Sequence, residues 1–70
     1  MGSPRIYKKV IDGRLITAQP RRGYVEVKVY AGLTAAKNEE PVGHWDMPNL
    51  LRRNLDVAAL QGALQTPKEN

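Results

Sequence analysis

The chain has 70 residues, eleven Lys or Arg against seven Asp or Glu, a net charge of +4 and no cysteine. That length holds one domain, which buries only about 60% of its unfolded surface, and the missing cysteine excludes a disulfide framework, a thiol nucleophile and a cysteine-ligated metal. No apolar run approaches the roughly 18 residues of a membrane-spanning helix. Met1-Gly2-Ser3-Pro4 leads straight into charged residues, without the apolar stretch of a secretory signal, so we expect a cytoplasmic protein without a membrane contact.

The charge is lopsided. Residues 1–30 hold Arg5, Lys8, Lys9, Arg14, Arg21, Arg22 and Lys28 against Asp12 and Glu26, a balance of +5, whereas residues 31–70 balance at −1. A localised basic field draws in polyanions; it also serves a small protein simply as a solvated, solubilising surface.

In chain order, Arg5 to Ile11 is expected as a first strand, closed by Asp12-Gly13, a dipeptide suited to a two-residue hairpin whose central positions both take positive φ. Arg14 to Gln19 is the second strand. Pro20-Arg21-Arg22-Gly23 is expected as a four-residue turn. Tyr24 to Ala31 is the third strand. Its alternation is unbroken: Val25, Val27 and Val29 share one face, Tyr24, Glu26, Lys28 and Tyr30 the other. Gly32 to Pro41 is a polar connection, and Val42-Gly43-His44-Trp45 a short fourth strand. Asp46 is expected to cap a helix with Pro48 in its first turn. The apolar positions then change sides: Met47, Leu51, Leu55 and Ala58 fall on one side of a continuous wheel, and Val57, Leu60 and Leu64 nearly opposite. Two short helices, the second capped by Asp56 with Leu55 and Leu60 as a hydrophobic staple, or one bent helix, account for this. Pro67 stops the segment. The expected fold is α+β: a three- to four-stranded antiparallel meander followed by one bent or two short C-terminal helices packed on one face. It forms a single domain over residues 5–65, with residues 1–4 and 66–70 as disordered tails.

The expected turns would pair Val10 with Leu15, and Gln19 with Tyr24, Thr17 with Glu26 and Leu15 with Lys28. The inner face then holds Tyr7, Ile11, Ile16, Ala18, Val25, Val27 and Val29, with Lys9 at an edge where its stem lies on apolar surface. The outer face is mixed, polar and basic on one side and apolar (Ile6, Val10, Leu15) on the other. A sheet wetted on that face would read cleaner, so either the sheet curls into a small barrel or a partner, a second copy or the last helix covers part of it.

Catalytic groups are scarce. Ser3 is the only serine and His44 the only histidine, so no nucleophile has a base to activate it. His44 and Asp46, two apart, would share a strand face, as an acid–base couple or as a plain surface pair. One histidine and scattered acids supply neither a zinc nor a calcium site, and no glycine-rich phosphate loop is present. We expect no enzyme, no catalytic residue, no metal and no cofactor. Trp45 reads as a core residue, a stacking platform or a hot spot for a protein partner, and Arg52-Arg53 as a solvated pair or a phosphate grip.

Gly23-Tyr24-Val25-Glu26-Val27-Lys28-Val29, then Val42-Gly43-His44-Trp45-Asp46 and a helix, resemble the small DNA-binding domains of phage integrase N-termini and of plant ethylene-response factors. The resemblance is one of element order and covers about residues 5–65. It implies a three-stranded sheet laid into the major groove and backed by a helix; the Gly32-to-Pro41 connection is longer than the hairpins of those families.

Basic groups interleaved with aromatics suit nucleic acid, where cations meet phosphates and rings stack. The first expectation is therefore a nucleic-acid-binding module, DNA favoured over RNA, using Lys8, Arg14, Arg21, Arg22, Tyr24, Lys28 and Tyr30. The alternative is a small protein-interaction module of a phage or mobile-element type, an inhibitor, adaptor or homodimer, using Ile6, Val10, Leu15, Tyr24 and Tyr30.

Overall fold

A computed structural model describes residues 6–33 and 40–67. Four strands, β1 (Tyr7–Ile11), β2 (Arg14–Arg21), β3 (Tyr24–Tyr30) and β4 (Gly43–Pro48), form an antiparallel sheet in sequential order. A 3₁₀ turn (Asn49–Arg53) and one helix, α1 (Leu55–Gln65), follow and pack on one face. This is the expected α+β meander. The chain after β4 is broken into two pieces, the first of them no more than a 3₁₀ turn. Most of the Gly32-to-Pro41 connection, like residues 1–5 and 68–70, lies outside the described residues.

Asp12 and Gly13 take φ of 53° and 75°, both positive, as a type I′ hairpin requires. The β2–β3 connection differs from expectation. Arg21 pairs with Tyr24 across the two-residue loop Arg22-Gly23, and Gly23 alone turns positive there, at 88°. Pro20 therefore lies inside β2, opposite Val25. Arg21 and Tyr24, next to the loop, exchange hydrogen bonds, so the Pro20 nitrogen points away from β3, toward the side where β1 pairing has already ended at Tyr7 opposite Ala18. A proline is tolerated there because no ladder bond is lost. The register shifts by two residues relative to the expected one. Gln19 faces Glu26, Thr17 faces Lys28 and Leu15 faces Tyr30. A two-residue shift changes partners and preserves faces.

The inner face is the core. Ile16, Ala18, Val25, Val27 and Val29 are sealed by Met47 and Leu51 and by Ala58 and Ala59 of α1. Asp46 is not a helix cap: β4 continues through it because Met47, opposite Val25, is buried only if the strand runs on. Asp56 is not a cap either. Asn54 precedes α1, without a side-chain cap bond, and Asp56 sits in the first turn. The staple does not form, since Leu55 is partly buried and Leu60 is exposed.

Small residues set how α1 meets the sheet. Its buried positions are Ala58, Ala59 and Gly62, and a Cβ on Gly62 would collide with Val27 Cγ1. Close approach by these positions leaves Val57, Leu60 and Leu64 on the outside. The helix end is tied down. Thr66, expected in a tail, is buried, and its N–H and Oγ1 both donate to Gly62 O, at 3.0 and 2.7 Å. Arg14 Nη2 donates to Pro67 O at 3.2 Å.

Candidate nucleic-acid interface

With α1 on the inner face, every described strand residue of the outer face except Leu15 stays at least partly exposed. Strand pairing arranges its side chains in four cross-strand rows. At the β2–β3 turn lie Arg21, Tyr24 and Pro48. Next come Gln19, Glu26 and Asp46. The third row is Lys8, Thr17, Lys28 and His44, and the fourth Val10, Leu15 and Tyr30. Adjacent strands are about 4.8 Å apart, so Lys8 and Lys28, separated by Thr17, stand about 10 Å apart.

The second row carries the acids, and they are engaged. Glu26 keeps 14% of its side chain exposed, with Arg21 Nη2 3.1 Å from Oε1 and His44 Nε2 2.8 Å from Oε2. Arg21 Nε also donates to Oε1, at 3.1 Å. His44 Nε2 is 3.7 Å from Asp46 Oδ1. Burial acts to raise the Glu26 pKa; the hydrogen bond from Arg21, the charge of Lys28, the hydrogen bond from His44 and the charge of Arg21 outweigh it and hold the carboxyl below its ordinary range. His44 and Asp46 do share a face, as expected. What the sequence reading missed is Glu26 next to them from β3; the alternation of β3 and β4 held that information once their pairing was known. Arg21 is thereby largely committed to Glu26, whereas neither Lys8 nor Lys28 makes a salt bridge among the described residues.

Of the seven residues expected to meet nucleic acid, Lys8, Arg21, Tyr24, Lys28 and Tyr30 share this face, and Arg22 sits at the adjoining turn. Arg14 does not join them. By pairing parity it belongs to the inner face, where its guanidinium holds Pro67 O. Among the residues of the alternative interface, Val10, Leu15 and Tyr30 form one row, but Leu15 is only 8% exposed and offers little to a partner. Ile6 lies just before β1 and is exposed, as is Tyr24. Trp45 is half-buried against the core, with its indole N–H bonded to Thr66, so it is not a free stacking platform.

Among the described residues, grooves open at both ends of the sheet. One, of about 500 Å³, is lined by Ile11, Asp12, Gly13, Arg14, Ala31, Val42 and Ala63. The other, of about 540 Å³, lies at the opposite end between Pro20 and the 3₁₀ turn. Among the described residues no group of three or more His, Cys, Asp or Glu could hold a metal ion, and no helix is long and apolar enough to cross a membrane.

No protein family, no curated protein and no solved structure is matched by this chain. The likeness to integrase N-terminal and ethylene-response-factor domains therefore stays at the order of elements.

Proposed function

We propose that this chain is a non-enzymatic nucleic-acid-binding module that meets its ligand with the outer sheet face, in the cytoplasm. The observation that carries this reading is the row Lys8–Thr17–Lys28–His44, bordered by Tyr30 on one side and, beyond the Glu26 row, by Tyr24 on the other. Lysines about 10 Å apart, neither of them in a salt bridge among the described residues, suit phosphates, and the rings supply flat contacts to bases or sugars. DNA is favoured over RNA because an antiparallel ribbon enters the B-form major groove, whereas the A-form groove is too deep and narrow for side chains to read. Amide-shift titration with a random duplex at about 50 mM salt tests it. Shifts at Lys8, Lys28 and Tyr30 are expected, and an unmoved outer face rejects the reading.

A second reading, self-association or docking on another protein, is favoured by a different surface. Val57, Leu60 and Leu64 recur along the exposed side of α1, and no charged residue occurs between Asp56 and Gln65. Sedimentation of the free chain tests self-association, and pull-down tests docking on another protein.

A further inference from the structure

We infer that the groove between Pro20 and the 3₁₀ turn is a phosphate site, with Arg52 and Arg53 as its ligating side chains. For its ligand, the backbone of a nucleic acid, the inference rests on the reading above. The groove is lined by Pro20, Asn49, Leu50, Arg52 and Arg53, with no acid among them. Both arginines are exposed, and neither makes a salt bridge among the described residues. Their outward aim has a local cause. Leu51 is the one buried residue of the turn, and anchoring it against the core forces Leu50, Arg52 and Arg53 to the surface. A guanidinium presents paired N–H donors that match two phosphate oxygens at once.

The opposite wall strengthens the assignment. Pro20, on that wall, leads directly into Arg21 and Arg22 in the chain, so two further arginines follow at the β2–β3 end of the sheet. Arg21 is on the outer face, held by Glu26. Arg22 is exposed at the tip of the loop, and the groove opens beside Pro20 on the inner side. The Glu26–Asp46 row separates the Lys8–Lys28 row from the β2–β3 loop, so the groove forms a second basic patch at that end, and a duplex that reaches both patches must cross the acidic row. Leu50, 77% exposed beside the groove, gives an apolar contact for a sugar.

The test compares wild type, R52Q/R53Q and K8Q/K28Q against a 20-base-pair random duplex between about 50 and 200 mM salt, with amide shifts followed in parallel. A second titration uses inorganic phosphate alone. The expected result is that R52Q/R53Q lowers the slope of log affinity on log salt by about 1.8, at roughly 0.9 per phosphate contact. R52K/R53K should keep the slope. If inorganic phosphate shifts the amides of residues 49–53 while the duplex shifts nothing, the site stands with free phosphate as its ligand, and the sheet-face reading falls. If R52Q/R53Q binds duplex with the wild-type slope while K8Q/K28Q weakens it, the phosphate site is rejected and the sheet face stands. Amides 49–53 that stay still in both titrations also reject the site.

Discussion

The indole N–H of Trp45 donates to Thr66 Oγ1 at 3.0 Å, and that hydroxyl donates onward to Gly62 O at 2.7 Å. One side chain thus closes the C-terminal end of α1 and satisfies the only tryptophan, twenty-one residues back on β4. Thr66→Val removes both bonds at constant shape and leaves a half-buried indole donor unpaired. The expected cost is about 1–3 kcal/mol, read from the urea midpoint of Trp45 fluorescence. Thr66→Ser should recover most of it; a Thr66→Val midpoint equal to wild type would show that the chain of bonds contributes nothing.

Gly62 faces Val27 so closely that no Cβ fits between them. Helix propensity alone says that Gly62→Ala should stabilise by up to about 1 kcal/mol. The collision reverses the sign, and a net loss of about 1–3 kcal/mol is expected. Gly62→Ala combined with Val27→Ala should lose less than the two single changes added together, because the second change makes room for the first. Strict additivity would mean that the contact is not limiting.

The Glu26 carboxyl, held below its ordinary range, binds protons more weakly in the folded than in the unfolded chain. The stability this contributes is fully present above the ordinary glutamate pKa and is lost as pH falls through the lowered, folded-state value. Glu26→Gln should therefore flatten the acid limb of a stability-against-pH curve measured by denaturant titration. A variant curve parallel to wild type on that limb would assign the acid sensitivity to other groups.

Lys8→Gln and Lys28→Gln should each weaken duplex binding and reduce the salt slope by about 0.9, without lowering the thermal midpoint, since neither lysine is paired among the described residues. Arg14→Gln should do the reverse. It frees Pro67 O and loosens the helix end, leaving the salt slope unchanged. Equal effects of Arg14 and Lys28 on the slope would contradict the separation of the two faces.

Leu60→Glu with Leu64→Glu probes the exposed side of α1. Sedimentation of wild type as a dimer and of this variant as a folded monomer would carry the second functional reading. A monomeric wild type at about 100 μM, where complexes of μM affinity are well populated, would remove self-association from that reading.

Much of the fold was legible because strand faces depend on a period of two and the turn at Asp12-Gly13 on backbone sterics. The inner face built on Val25, Val27 and Val29 needed no partner to be assigned. The loop at Arg22-Gly23 was not legible: Pro20 reads as turn-forming, and only the early end of β1 frees its nitrogen side and lets it stand in a strand. Asp46 likewise reads as a cap until β3 recruits it into β4. Val57, Leu60 and Leu64 read as a second buried stripe, yet α1 turns its small residues inward.

By itself the sequence determined a short cysteine-free chain, a basic first half, an alternating third strand and an apolar pattern that changes sides in its C-terminal segment. All of these follow from local chemistry, readable within a few neighbouring residues. Only the tertiary structure decided that Glu26 would hold Arg21 and His44, that Arg14 would leave the basic face, and that Arg52 and Arg53 would stand beside Pro20. Those relationships join residues on different elements, so they exist only once strand pairing and helix packing bring those elements together.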